Sequence, residues 1–170
     1  MDFTSLVQKR YSVRAYKPEA VEEEKIDQIL EAARFAPTAA NKQPFKIIVT
    51  YPEKREDELR RVYSADWFVQ APVVICICVI RGQSWVRKEG KDYGDVDAAI
   101  VMDHIIMQAT ELGLGTCWIA AFDPQAAREV FQLPENIEPV IMTTLGYPAD
   151  SPRSKRRKDL NELVRYDVWK

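Results

Sequence analysis

The sequence predicts an α+β domain built on a central, mainly antiparallel sheet flanked by helices. Three observations carry that expectation. The run PVVICICVI (72–80) is β-branched on both faces, which suits a central strand covered on both sides. The stretch from Asp95 to Leu112 is long and apolar over much of its surface, as a helix lying against such a sheet would be. The other segments do not alternate strictly between strand and helix, so a doubly wound parallel sheet fits poorly, while a mixed sheet stays open.

The elements follow in order. Residues 2–9 read as a short helix, and residues 10–16 as an extended segment leading to Pro18. VEEEKIDQILEAARFA places Ile26, Ile29, Leu30 and Ala33 at helical spacing, with acids in the first turn, and Pro37 stops it. PTAANKQP is then a loop, and FKIIVTY a strand. Residues 53–63 form a charged helix before the central strand. Residues 82–94, with Gly82, Gly90 and Gly94, are polar and irregular. After the long helix, Gly113 is placed as its C-terminal cap, GLGTCWIAAF turns into a strand, PQAAREVFQL is a helix and EPVIMTTLGYP a strand. The tail from Arg153 is basic and partly extended. The apolar long helix serves equally as core spine or dimer face.

With 170 residues, 46% apolar and 29% charged, the chain suits one domain, residues 1–170, with a substantial core. Its net charge of −2 argues against nucleic-acid binding by the whole surface, and the basic run at 153–158 comes with no folded reader motif. APVVICICVI is too short to span a membrane. Three cysteines, an odd count, and no secretory signal point to a reducing, cytoplasmic setting.

Chemistry-bearing residues fall in a few clusters. Arg10, Ser12 and Arg14 share one face of an extended segment, and Lys155 and Arg157 alternate in the same way. Two guanidiniums and a hydroxyl suit phosphate oxygens, and the lysine–arginine pair can close the same site; two surface arginines in an ordinary turn is the other reading. Thr38, Asn41 and Gln43 offer donors and acceptors, those of the two amides on planar groups, matching the edge of a heterocycle or simply a polar turn. Asp95, Asp97 and Asp103 read as helix cap and solvated face. Cys76, Cys78 and Cys117 lack metal-ligand spacing and read as small core residues, and the single histidine, His104, sits within the apolar helix. ELGLGTCW runs helix, glycines, strand, the reverse of a dinucleotide-binding turn. With no evident nucleophile or acid–base pair, a bound redox cofactor is the economical source of chemistry.

In their joint order and spacing, RYSVRAY, APTAANKQPF, APVVI, ELGLGTCWI, LGYP and SKRR followed by LNELV resemble the nitroreductase family of flavin-dependent NAD(P)H oxidoreductases. The resemblance runs over nearly the whole chain. It implies a nitroreductase-like homodimer binding FMN at the subunit interface, NADH or NADPH as co-substrate, and hydride transfer to flavin N5 followed by reduction of a small acceptor such as a nitroaromatic or quinone, by a ping-pong mechanism. By the same resemblance Arg10, Ser12 and Arg14 contact the phosphate and ribityl chain, and Lys155 and Arg157 close on the phosphate. Pro37, Thr38, Ala39, Asn41 and Gln43 form a segment largely supplied by the other subunit. Ala120 and Ala121 lie where backbone approaches the flavin ring, and Gly146 in a turn near the cofactor. Trp67, Phe68, Trp85 and Trp118 are the aromatic candidates for controlling access. Residues around 81–95 form a short lid. The alternatives within the fold are a flavin-dependent oxidase, a flavin-fragmenting enzyme and a non-catalytic flavin-binding protein.

Overall fold

A computed structural model describes residues 2–169. Four strands form one antiparallel sheet in the order β1-β2-β4-β3: β1 (Phe45–Thr50), β2 (Val73–Ile80), β3 (Gly115–Ile119) and β4 (Ile137–Gly146). The run expected to be central is central, with β1 on one side and β4 on the other. Seven α-helices accompany the strands among the described residues: α1 (Phe3–Lys9), α2 (Glu23–Arg34), α3 (Glu56–Val62), α4 (Asp66–Gln70), α5 (Gly94–Glu111), α6 (Pro124–Val130) and α7 (Leu160–Leu163).

Alternation along β2 organises the core. Val73, Ile75, Ile77 and Val79 join Ile26 and Ile29 of α2 and Val101, Met102 and Ile105 of α5 in one buried cluster. Val74, Cys76 and Cys78 face the other way, toward Leu59 and Val62 of α3, Phe68 of α4 and Ala127 of α6. The three layers are therefore helices, sheet, helices. Each fully buried aliphatic side chain contributes about 1.5–3 kcal/mol, so the doubly covered β2 is the most stabilised strand by composition. The cysteines are small core hydrophobes, all buried and unpaired, and no metal-binding group of side chains occurs among the described residues. No helix is long and apolar enough to cross a membrane.

Helix ends follow local chemistry. The Asp2 carboxylate caps α1 by accepting from Ser5 N–H at 3.0 Å. Gly113, at φ 78°, ends α5 as expected, with Leu114 N–H reaching Ala109 O at 2.8 Å and Gly113 N–H reaching Thr110 O at 3.1 Å.

Several expectations are corrected. The charged helix splits into a single 3-10 turn, Pro52–Lys54, and α3. Helices α4 and α7 were not foreseen; each spans too few residues to show a helical period. Phe68 is wholly buried, so it packs the core and cannot gate a site. Asp97 does not lie on a solvated face: it is 1% exposed. Asp103 is exposed as expected, and exposed Asp95 pairs with Arg81 at 2.6 Å.

Within residues 81–95 the chain folds back on itself. Val86 bridges Asp92, Trp85 packs edge-on against Tyr93 at 5.0 Å, and Arg81 also pairs with Glu138 at 2.5 Å.

Candidate functional site

The segment 10–16 runs beside β3. Ser12 bridges Thr116, and Val13 N–H donates to Thr116 O at 2.9 Å. Val13 is buried, and the strand accommodates it because Gly115 has no side chain; a Cβ there would sit 2.6 Å from Val13 Cγ2. Turning Val13 inward leaves Ser12 and Arg14 directed away from the core.

Residues 147–150 clamp this segment. Lys17 N–H donates to Tyr147 O at 2.9 Å and Ala149 N–H to Ala15 O at 2.8 Å. Arg14 N–H donates to Asp150 Oδ2 at 2.9 Å, and Tyr11 OH to Asp150 O at 3.0 Å. The clamp delivers the following tail to the same place. Arg10, Ser12 and Arg14 therefore line one cavity of about 260 Å³ with Arg153, Lys155, Arg156 and Arg157. All five residues expected to hold a phosphate, from opposite ends of the chain, converge there. Asp150, which sequence reasoning missed, is the residue that closes the two ends together; a lone aspartate in a loop carries no signal of that role.

The cavity's charge is unbalanced. Its lining holds six basic residues and one acid, Asp150, and that acid is engaged with backbone. Desolvation, followed by the neighbouring charges of Arg10 and Arg157, pulls the Lys155 ammonium below its ordinary value. Lys155 Nζ meanwhile donates to the carbonyls of Val7 and Gln8 at the C-terminal end of α1, which fixes its position. Like charges gathered without counter-charge favour an anion, and a phosphate monoester, with about two negative charges and three acceptor oxygens, matches these forked donors. The residues present fit the phosphate of a flavin mononucleotide.

The loop 37–43 is built differently. A 3-10 turn, Ala39–Asn41, follows Thr38, and Ala40, Asn41 and Gln43 take φ of 51°, 53° and 50°. Left-handed backbone costs an L residue about 1–2 kcal/mol. Gln43 N–H donates to Thr38 Oγ1 at 3.1 Å, Gln43 Nε2 to Asn41 Oδ1 at 3.1 Å, and Ala39 N–H to Asp97 Oδ1 at 2.8 Å. Pro37, Asn41 and Gln43 are exposed, and Thr38 and Ala39 partly so.

This loop is not beside the basic cavity. It precedes Phe45, which pairs with Val79, whereas Ser12 lies beside Thr116, whose partner Leu145 pairs with Val73. Six residues of β2 separate the two levels, about 20 Å at strand spacing. One chain brings together Arg10, Ser12, Arg14, Lys155 and Arg157, and holds Pro37, Thr38, Ala39, Asn41 and Gln43 at the other end of its sheet.

Ala120 and Ala121 are exposed just beyond β3. Gly146 closes β4, where a Cβ would meet Pro72 Cδ at 2.6 Å and Tyr16 Cδ1 at 3.0 Å, so close packing accounts for that glycine. Trp67 lies near the cavity, with the Arg14 guanidinium 5.9 Å from its ring, and Trp118 is exposed on β3.

Known proteins share this fold. The nitroreductase family model matches residues 7–67 and 53–147. A crystal structure of a nitroreductase family protein from Clostridium difficile 630 superposes with a TM-score of 0.91 at 38% identity, covering 99% of each chain. An FMN-dependent nitroreductase from Clostridium difficile R20291 gives 0.82 at 29% identity, covering 98% of this chain and all of that one (100%). An FMN reductase of Bacillus subtilis is 31% identical over 163 residues, 86% of this chain and 66% of the relative. On fold and on sequence, this chain belongs to the nitroreductase family.

Proposed function

We infer that the protein is an FMN-dependent NAD(P)H oxidoreductase that works as a homodimer and passes electrons to a small acceptor such as a nitroaromatic or quinone. The observation that carries this reading is the basic cavity in which Arg10, Ser12 and Arg14 meet Lys155 and Arg157. Similarity to proteins named FMN reductase and FMN-dependent nitroreductase supports FMN as the ligand. Bound FMN would supply the redox chemistry, taking a hydride at N5 from NADH or NADPH and then giving up electrons to the second substrate.

The chain's own residues bind and orient. Arg10, Arg14, Lys155 and Arg157 neutralise the phosphate, and Ser12 adds a hydroxyl. Ala120 lies four residues beyond Thr116, about 13 Å along the strand direction. Ala120 and Ala121 place no bulky side chain over the backbone there, so a flat ring can approach it. Thr38, Asn41 and Gln43 present hydrogen-bonding groups to the ring's polar edge.

The distance between loop and cavity supports the dimer. A two-fold axis near the middle of α5 would carry the loop of one copy to the cavity of the other, because α5 starts at the loop's end of the sheet and finishes at the cavity's end. The outer side of α5 is suited to pairing: Phe3, Leu6, Ala32 and Met107 line a groove of about 530 Å³ with His104. Residues 151–169 are exposed throughout, and Leu160, Leu163, Tyr166, Val168 and Trp169 find no cover within their own chain.

The test is an anaerobic visible spectrum of the purified protein reconstituted with FMN, before and after NADH and then NADPH. Loss of the oxidised-flavin band within seconds supports the oxidoreductase. A yellow complex that neither nucleotide bleaches keeps the flavin site and refutes the nicotinamide half-reaction. Failure to take up FMN refutes the whole reading.

A further inference from the structure

We propose that Asp97 is a positioning residue that holds the loop Thr38–Gln43 in the shape its binding role requires. This rests on the reading of the loop as part of the flavin site. Three non-glycine residues with left-handed backbone in four positions persist only where surrounding contacts over-determine them. Thr38 supplies two bonds from within the loop, from its Oγ1 to Gln43 N–H and from its carbonyl to Asn41 N–H at 3.0 Å. Asp97 supplies one from outside, accepting Ala39 N–H at 2.8 Å.

The character of Asp97 shows that packing alone does not explain it. The residue is 1% exposed, and its Oδ2 is buried with no hydrogen-bond partner among the described residues. A half-satisfied buried carboxylate is costly, and an apolar side chain would fill the same volume without that cost. What an apolar side chain could not do is grip Ala39. Asp97 sits in the first turn of α5, where the helix dipole favours negative charge. Helix α5 is in turn fixed by the core through Val101, Met102 and Ile105. Asp97 thus ties a strained surface loop to the most deeply packed helix.

Amide hydrogen exchange over 39–43 and FMN titration, on wild type, Asp97→Ala and Asp97→Asn, test the idea. Asparagine keeps an acceptor for Ala39 N–H, so its exchange and FMN affinity should stay within about threefold of wild type. Alanine should speed exchange at Ala39 at least tenfold and weaken FMN at least tenfold. If Asp97→Ala does not fold, Ala39→Pro removes the donor from the loop side. Proline is tolerated at the first position of a helical turn, and Thr38 before it is already extended at φ −129°, ψ 156°. It should weaken FMN as the alanine does. Wild-type exchange with FMN affinity within twofold in Asp97→Ala would overturn the proposal, as would Asp97→Asn matching Asp97→Ala, or Ala39→Pro binding FMN like wild type. Should wild type bind no FMN, the flavin reading fails and the exchange comparison still decides the role of Asp97.

Discussion

At the scale of single residues, the cavity behaves as a counter-charge problem. Arg10 and Arg14 come from a segment whose geometry is fixed by Val13 and Thr116, so removing their guanidiniums need not disturb the backbone. A hydrogen bond to a charged group contributes about 1.5–3 kcal/mol. Replacing Arg10 and Arg14 together by alanine should therefore weaken FMN about a hundredfold or more while leaving the thermal midpoint nearly unchanged. Replacing Glu23 and Glu24, acids at the start of α2, should leave FMN affinity as it is. Equal affinity in the double arginine variant and wild type, by fluorescence titration, would remove the phosphate reading. The arginine alternation was legible in the sequence because an extended segment converts every second residue into one face. Asp97 was not legible. An acid in the first turn of a helix is ordinarily solvated, and only the loop folded over it reveals that this one is enclosed.

At the scale of elements, the site depends on how closely segment 10–16 lies against β3. Gly115 sets that distance, since a methyl group would press on the buried Val13. Overpacking of this kind costs about 1–3 kcal/mol and here displaces the segment that carries both arginines. Gly115→Ala should lower stability and FMN affinity together. Gly113→Ala is the matched comparison: its cost of about 1 kcal/mol comes from backbone at φ 78° in open space, so stability alone should fall. Denaturant unfolding beside FMN titration separates the two, and an unchanged FMN affinity in Gly115→Ala would show that the segment's seat does not matter. The strands and long helices were readable from apolar runs and helical spacing. Helices α4 and α7 were not, because five and four residues are too few to display a period.

At the scale of the whole molecule, the sequence could name both halves of the proposed site without showing that one chain keeps them apart. That separation follows from strand register: the loop enters the sheet opposite Val79, and the basic segment sits at the level of Val73. In the proposed dimer a second copy would resolve it, and the exposed arm is the part of the chain left without cover. Leu160, Leu163, Val164, Tyr166, Val168 and Trp169 are all exposed beyond the last cavity residue, Arg157. Covering these side chains would stabilise an interface, although ordering the arm offsets part of the gain. Deleting residues 159–169 leaves Lys155 and Arg157 in place. It should raise the dimer dissociation constant at least a hundredfold, about 2.7 kcal/mol. FMN affinity should then depend on protein concentration, because a lone chain offers the phosphate cavity without a loop for the ring. Sedimentation velocity and FMN titration across a range of protein concentrations measure both effects. A shortened chain that stays dimeric to the same dilution as the full one would mean that the arm lies outside the interface, and that the outer face of α5 suffices to pair the two copies.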